Sequence, residues 1–186
     1  MRPIIILLKV VLALAFCFPA VASGDQTDQR LDSLFEALQS GQDETALQET
    51  EAAIWDIWYD SGDENVDELM LQAAELVRAG ELAAAEIIYS EVIETLPGFS
   101  EGWNRRATVR FYQRDYEGSL ADIEETLKLE PRHFGAIWGL GMILGSQRDF
   151  QRAILAFERL LEIKPSASDA PRRIELLKQE LAKQAV

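Results

Sequence analysis

The run Ser100–His133, SEGWNRRATVRFYQRDYEGSLADIEETLKLEPRH, decides the fold. Its Pro131 stands 34 residues after Pro97 and 34 before Pro165, and the residues between these prolines recur in phase. With each proline set at position 32, the units are Val66–Phe99, Ser100–His133 and Phe134–Ala167. A period of 34 is the length of one helix–turn–helix unit in a stacked array.

The positions inside the unit support that reading. Position 8 holds Ala73, Ala107 and Gly141, and position 20 holds Ala85, Ser119 and Ala153. Small residues there let two antiparallel helices approach closely. Position 17 holds Leu82, Tyr116 and Phe150; position 24 holds Tyr89, Ile123 and Phe157; position 28 holds Ile93, Leu127 and Leu161. Spacings of seven and four place all three on one stripe of the second helix. Gly80-Glu81, Arg114-Asp115 and Arg148-Asp149 fall between the two helices. Each second helix ends where its proline denies the backbone a donor.

Together these positions resemble the tetratricopeptide repeat, and Trp103 at position 4 of the middle unit adds to the match. The resemblance covers residues 66–167. It implies an all-α fold, a right-handed superhelix of antiparallel helix pairs (a TPR-like solenoid) with helical caps at both ends. The middle unit departs from the pattern, with Arg106 and Arg110 at positions 7 and 11, where larger apolar residues are common. Asp122 on the facing helix is a partner for Arg106. A structural ion pair is the first reading, ahead of a binding role, because buried charges need partners.

The flanks extend the array. After Pro165, Ser168 or Asp169 can cap a last helix with Pro171 in its first turn. There Ile174, Leu177 and Leu181 form an apolar stripe opposite Arg172, Arg173, Lys178 and Lys183, as a terminal capping helix over 168–186 requires. Over residues 23–65 the pattern is a degenerate repeat or helical cap. Leu31, Leu34, Phe35 and Leu38 predict a short helix ending near Gly41, and Leu47, Ile54, Trp55 and Trp58 predict a second from about Glu44 to Tyr59. Trp55 and Trp58 are expected to pack on the first repeat, or else to stand exposed as anchors for a partner.

Residues 1–22 read as a signal peptide. Arg2 and Lys9 precede the apolar run Val10–Phe18, and Ala20-Val21-Ala22 gives the small–x–small pattern of cleavage before Ser23. The expected location is therefore the periplasm or secretion, and the chain reads as the exported bacterial type. In the rival reading an uncleaved segment anchors the chain to the inner membrane. Against it, Lys9 leaves only Val10–Ala22 uncharged, with Pro19 inside, where about 20 apolar residues are needed to span a bilayer. Cys17 follows Phe16 rather than the small residue of a lipoprotein site.

Cleavage removes the only cysteine. It also takes Arg2 and Lys9 from the 18 basic residues, leaving 16 against 32 acidic and a net charge of −16. That balance repels phosphate backbones and anionic membranes, so neither nucleic acid nor stable membrane insertion is expected. It reads first as a solvated surface, and second as an attraction for basic partners.

Catalysis is poorly provided for. His133 is the only histidine, and Glu130 with His133 has the spacing of half a di-metal motif without a second half. There is no phosphate loop or nucleophile elbow. Asp60, Asp63 and Asp67 lack the glycine and closing glutamate of a calcium loop. The chain is read as no enzyme, with no cofactor and no metal.

The resemblance directs attention to the concave face, lined by positions 2, 5, 9, 12 and 13 of each first helix. In the first unit these are Asp67, Met70, Ala74, Val77 and Arg78; in the second, Glu101, Asn104, Thr108, Phe111 and Tyr112; in the third, Gly135, Trp138, Met142, Gly145 and Ser146. Met70, Arg78, Asn104, Thr108, Phe111, Tyr112, Trp138 and Met142 are the candidate partner-binding residues. The set suits a peptide or protein partner with apolar anchors, its backbone held by Asn104. With no lysine, the groove does not resemble the carboxylate-clamp type that grips an acidic C-terminus. The expected function is a non-enzymatic adaptor or scaffold in the bacterial envelope. The alternatives are a factor that weakly self-associates through Trp55 or Trp58 and the last helix, and a non-catalytic regulatory subunit of an envelope enzyme.

Overall fold

The computed structural model describes residues 25–41 and 43–184; the signal segment and its cleavage site lie outside them. After a short 3-10 turn at Asp25–Thr27 come α1 (Arg30–Ser40), α2 (Glu44–Tyr59), α3 (Glu64–Ala79), α4 (Leu82–Thr95) and α5 (Ser100–Gln113). Then follow α6 (Tyr116–Leu129), α7 (Phe134–Ser146), α8 (Phe150–Ile163) and α9 (Ala170–Gln184), with no strand among the described residues. No helix among them is long and apolar enough to cross a membrane.

The pairs α3–α4, α5–α6 and α7–α8 are built alike. Ala73, Ala85, Ala107, Ser119 and Ala153 are buried where the paired helices touch, and the Ser119 hydroxyl donates to the Ala107 carbonyl at 2.7 Å. At Gly141 a Cβ would stand 2.7 Å from the Phe157 ring, so only glycine admits that ring. Each pair turns through a left-handed residue at position 15: Gly80 (φ 80°), Arg114 (φ 67°) and Arg148 (φ 63°). The turns are closed by the same two bonds, such as Asp115 N–H to Arg110 and Arg114 N–H to Phe111. That is the Schellman closure, which satisfies the last helical carbonyls. Asp115 and Asp149 then cap the following helix.

Arg106 makes the expected ion pair. Its Nε and Nη2 donate to both oxygens of Asp122 at 2.9 and 2.8 Å, and its Nη1 donates to Ser90. Arg110 joins the same carboxylate at 3.0 Å and reaches Glu86 at 2.9 Å. These bonds tie α4 and α6 to α5, so both arginines hold neighbouring units together.

The N-terminal hairpin goes elsewhere than the sequence suggests. Trp55 and Trp58 pack not on the first unit but at the junction of the second and third. Trp58 stacks on His133, with centroids 4.2 Å apart, and Trp55 meets Phe134 edge-on at 5.2 Å. Leu31, Phe35, Leu38, Ile54 and Trp58 thereby share one core with Phe134, Ile137, Phe157, Leu160 and Ile174. The hairpin and the short turn before it run past all three proline turns. Gln26 bonds Gly98 and Ser100; Asp32 pairs with Arg132 at 2.7 Å; Gln39 reaches the Glu162 carbonyl and Glu51 pairs with Lys164.

Unit one has no apolar face to offer the hairpin. Positions 3 and 10 are buried as Gly102 and Val109, then as Ala136 and Ile143, but they are Glu68 and Glu75 in α3, both exposed. The exposed-anchor expectation also fails for Trp58, which is 1% exposed. At the other end Ile174 is buried and Leu177 and Leu181 are half-buried, while Arg172, Arg173, Lys178 and Lys183 face solvent.

Candidate functional site

The first helices α3, α5 and α7 place the candidate residues around two adjoining cavities. One, about 300 Å³, opens between α5 and α7 and is lined by Asn104, Thr108, Phe111, Tyr112, Trp138 and Met142. Gly135 and Gly139 keep the α7 side of this cavity thin. The other, about 520 Å³, opens between α3 and α5 and is lined by Met70, Ala74, Val77 and Arg78, with Thr108 on both rims. Gly145 and Ser146, also expected on the groove face, border neither: a Cβ on Gly145 would stand 3.3 Å from Leu177 of α9.

One expectation is narrowed and another corrected. Asn104 is 7% exposed, and its side-chain nitrogen donates to Glu101 at 2.8 Å. One of its two amide N–H groups is therefore engaged inside the protein, while the residue borders the cavity between α5 and α7. Glu101 is fully buried instead of lining the groove. It accepts from Asn104, from Arg105 Nε and from His133 Nε2 at 3.0 Å. The Ala136 N–H donates to His133 Nδ1, so the ring proton sits on Nε2. His133 thus caps α7 and anchors Glu101 while stacking on Trp58. Glu130, its expected partner in half a metal motif, is turned to Arg132. Among the described residues no three His, Cys, Asp or Glu side chains gather as metal ligands. Asp63 caps α3 and Asp67 accepts from Ser61, so that acidic cluster belongs to the turn into α3.

Five residues lining the cavity between α3 and α5 escaped the sequence reading: Tyr59, Leu71, Tyr89, Arg105 and Val109. Tyr59 arrives on the hairpin, whose docking no local pattern announces. Its ring lies under the Arg105 guanidinium at 4.7 Å. Burial pulls Arg105 down to about 10, so it keeps its charge at neutral pH. Tyr89 had a signal. Its counterparts Ile123 and Phe157 carry no polar atom, and a hydroxyl on that stripe asks for a reason. Burial, helped by Glu101, pushes its phenol up to about 12.

A family model described as tetratricopeptide repeat matches residues 104–168. A TPR repeat-containing protein of Rhizobium etli is 36% identical over 154 residues, which is 83% of this chain and 76% of that protein. Solved structures share the fold at lower identity. The first TPR of Spaghetti (RPAP3), bound to an HSP90 peptide, superposes with a TM-score of 0.61 at 19% identity, covering 63% of this chain and 93% of that one. The Sgt2 TPR domain from Aspergillus fumigatus gives 0.62 at 18%, covering 66% and 83%. MamA gives 0.60 at 16%, covering 85% and 79%.

Proposed function

Because the chain belongs to the tetratricopeptide repeat family, we propose that it is a non-enzymatic adaptor whose inner face holds a segment of another polypeptide. The observation that carries this reading is the convergence of Phe111, Tyr112, Trp138 and Met142 on one apolar cavity, continued past Thr108 by the cavity of Met70 and Arg78. Such a surface supplies anchors for alternate side chains of a bound segment. The fold match to a domain bound to an HSP90 peptide supports a peptide-binding role. We place the protein outside the bacterial inner membrane on the strength of the leader at residues 1–22. Self-association through Trp58 loses its ground, since that ring is buried.

One experiment tests both parts. A photo-crosslinking residue at Tyr112, which is 60% exposed, captures partners in living cells for mass spectrometry. Phe111→Ala with Trp138→Ala should abolish the captured species while the circular dichroism spectrum is retained. Capture that persists in the double variant removes the groove from the binding surface. The same spectra read the N-terminus of the captured chain, which should begin at Ser23.

A further inference from the structure

The first helix of the array and its last expose stripes that fit each other. On α3, Glu64, Glu68, Leu71 and Glu75 are exposed, with Leu71 66% accessible. On α9, Arg172, Leu176, Gln179 and Lys183 are exposed, with Leu176 48% accessible. Both sets step by four, three and four residues, which keeps each on one face of its helix. That alternation is the spacing of a coiled-coil seam.

Neither stripe is used within the chain. α3 begins the array, so Glu68 and Glu75 stand where Gly102 and Val109, or Ala136 and Ile143, bury against a preceding unit. α9 ends it and buries Ala170 and Ile174 on another side. The charges of the two stripes are opposite. Among the described residues the Arg172 side chain has no ion pair, and Glu64 and Glu68 have no cation bonded to them. Lys183 pairs with Glu180 of its own helix, and Glu75 with Arg78. Pairs this exposed contribute little, so both groups can exchange partners. Arg173 adds a cation beside Arg172, while Glu175 takes the Gln179 amide at 3.0 Å.

Set antiparallel, the stripes meet rung for rung: Arg172 opposite Glu75, Leu176 opposite Leu71, Gln179 opposite Glu68, and Lys183 opposite Glu64. A single exposed leucine is ordinary on any surface. Four complementary rungs at one spacing, on the two ends of one array, are not. We propose that α9 of one copy docks antiparallel on α3 of a second copy, so that copies join end to start. The two surfaces differ, so the contact is heterologous and each copy can hold two neighbours. Two leucines between two ion pairs make a contact smaller than a permanent interface, and the association belongs to high protein concentration. The net charge of −14 repels two copies at long range. Salt at about 0.15 M confines that repulsion to about 8 Å.

Sedimentation velocity of the purified protein from about 0.01 to 1 mM tests this. The wild type should pass from monomer toward dimers and longer chains across that range. Arg172→Glu alone, or Glu75→Arg alone, should raise the concentration of half-association about tenfold. The two changes on one chain should restore it, because the pair re-forms with its charges exchanged. In a parallel register the double variant would instead repel at both ends. All of these changes lie at exposed helical positions, and circular dichroism checks that folding is retained. A wild type that stays monomeric at about 1 mM overturns the proposal. Single variants that associate like the wild type, or a double variant that stays monomeric, also overturn it. In cells, a photo-crosslinking residue at Gln179 should capture a second copy through α3; capture of a different protein gives the face another occupant and overturns it. None of these results bears on the groove, which the Tyr112 probe reads separately.

Discussion

Arg114 and Arg148 occupy a backbone region that costs a residue with a Cβ about 1 kcal/mol and costs glycine nothing. Gly80 holds the equivalent place in the first unit, with φ of 80°. Arg114 is exposed and its side chain is bonded to nothing in the described structure. Arg114→Gly should therefore stabilise the protein by about 0.5 kcal/mol, once the greater freedom of glycine in the unfolded chain is set against the relieved strain. Urea denaturation measures it, and a loss of stability would show that the arginine side chain contributes more than its backbone costs. The residues of the groove behave differently. Met70, Phe111, Trp138 and Met142 were identifiable because their spacing puts them on one helical face. The bond from Asn104 to Glu101 was not foreseen, because spacing specifies a face and not a hydrogen-bond partner. Glu101, buried three residues before it, accepts one of its two amide N–H groups.

Among the elements, the repeated pairs were legible from their small residues, their stripes and their prolines, since all of these act within 34 residues. The hairpin α1–α2 was legible only as two helices. Where it docks depends on Phe134, His133 and Lys164, some 75 to 113 residues downstream of the groups they meet, and no periodicity reports contacts at that range. Trp58 is its anchor. Its ring stacks on His133 and lies 4.9 Å from Phe134, while its indole N–H has no acceptor. Trp58→Ala should cost about 3–5 kcal/mol. Trp58→Phe gives up no hydrogen bond and should cost less than half as much. If both variants unfold at the wild-type urea midpoint, the hairpin does not contribute to the stability of the repeats.

For the whole molecule, the hairpin changes how the array holds together. Stacked repeats ordinarily touch only their neighbours and unfold nearly as a row of separate units. Here Gln26, Asp32 and Glu51 reach the first, second and third proline turns in succession. Loss of any one unit therefore loosens contacts made by the others. Thermal unfolding should be a single transition, coincident by far-ultraviolet circular dichroism and tryptophan fluorescence. Two separated transitions would mean that the units melt independently of the hairpin.

A fastening that spans Gly98 to Lys164 has a set reach. A fourth 34-residue unit inserted among these three would carry the last turn beyond Glu51 and Gln39, and the chain would lose either the new unit's register or its own clasp. The array is thus closed to lengthening from within. Variation in what it grips must come from side chains along the existing trough, rather than from added turns of the coil.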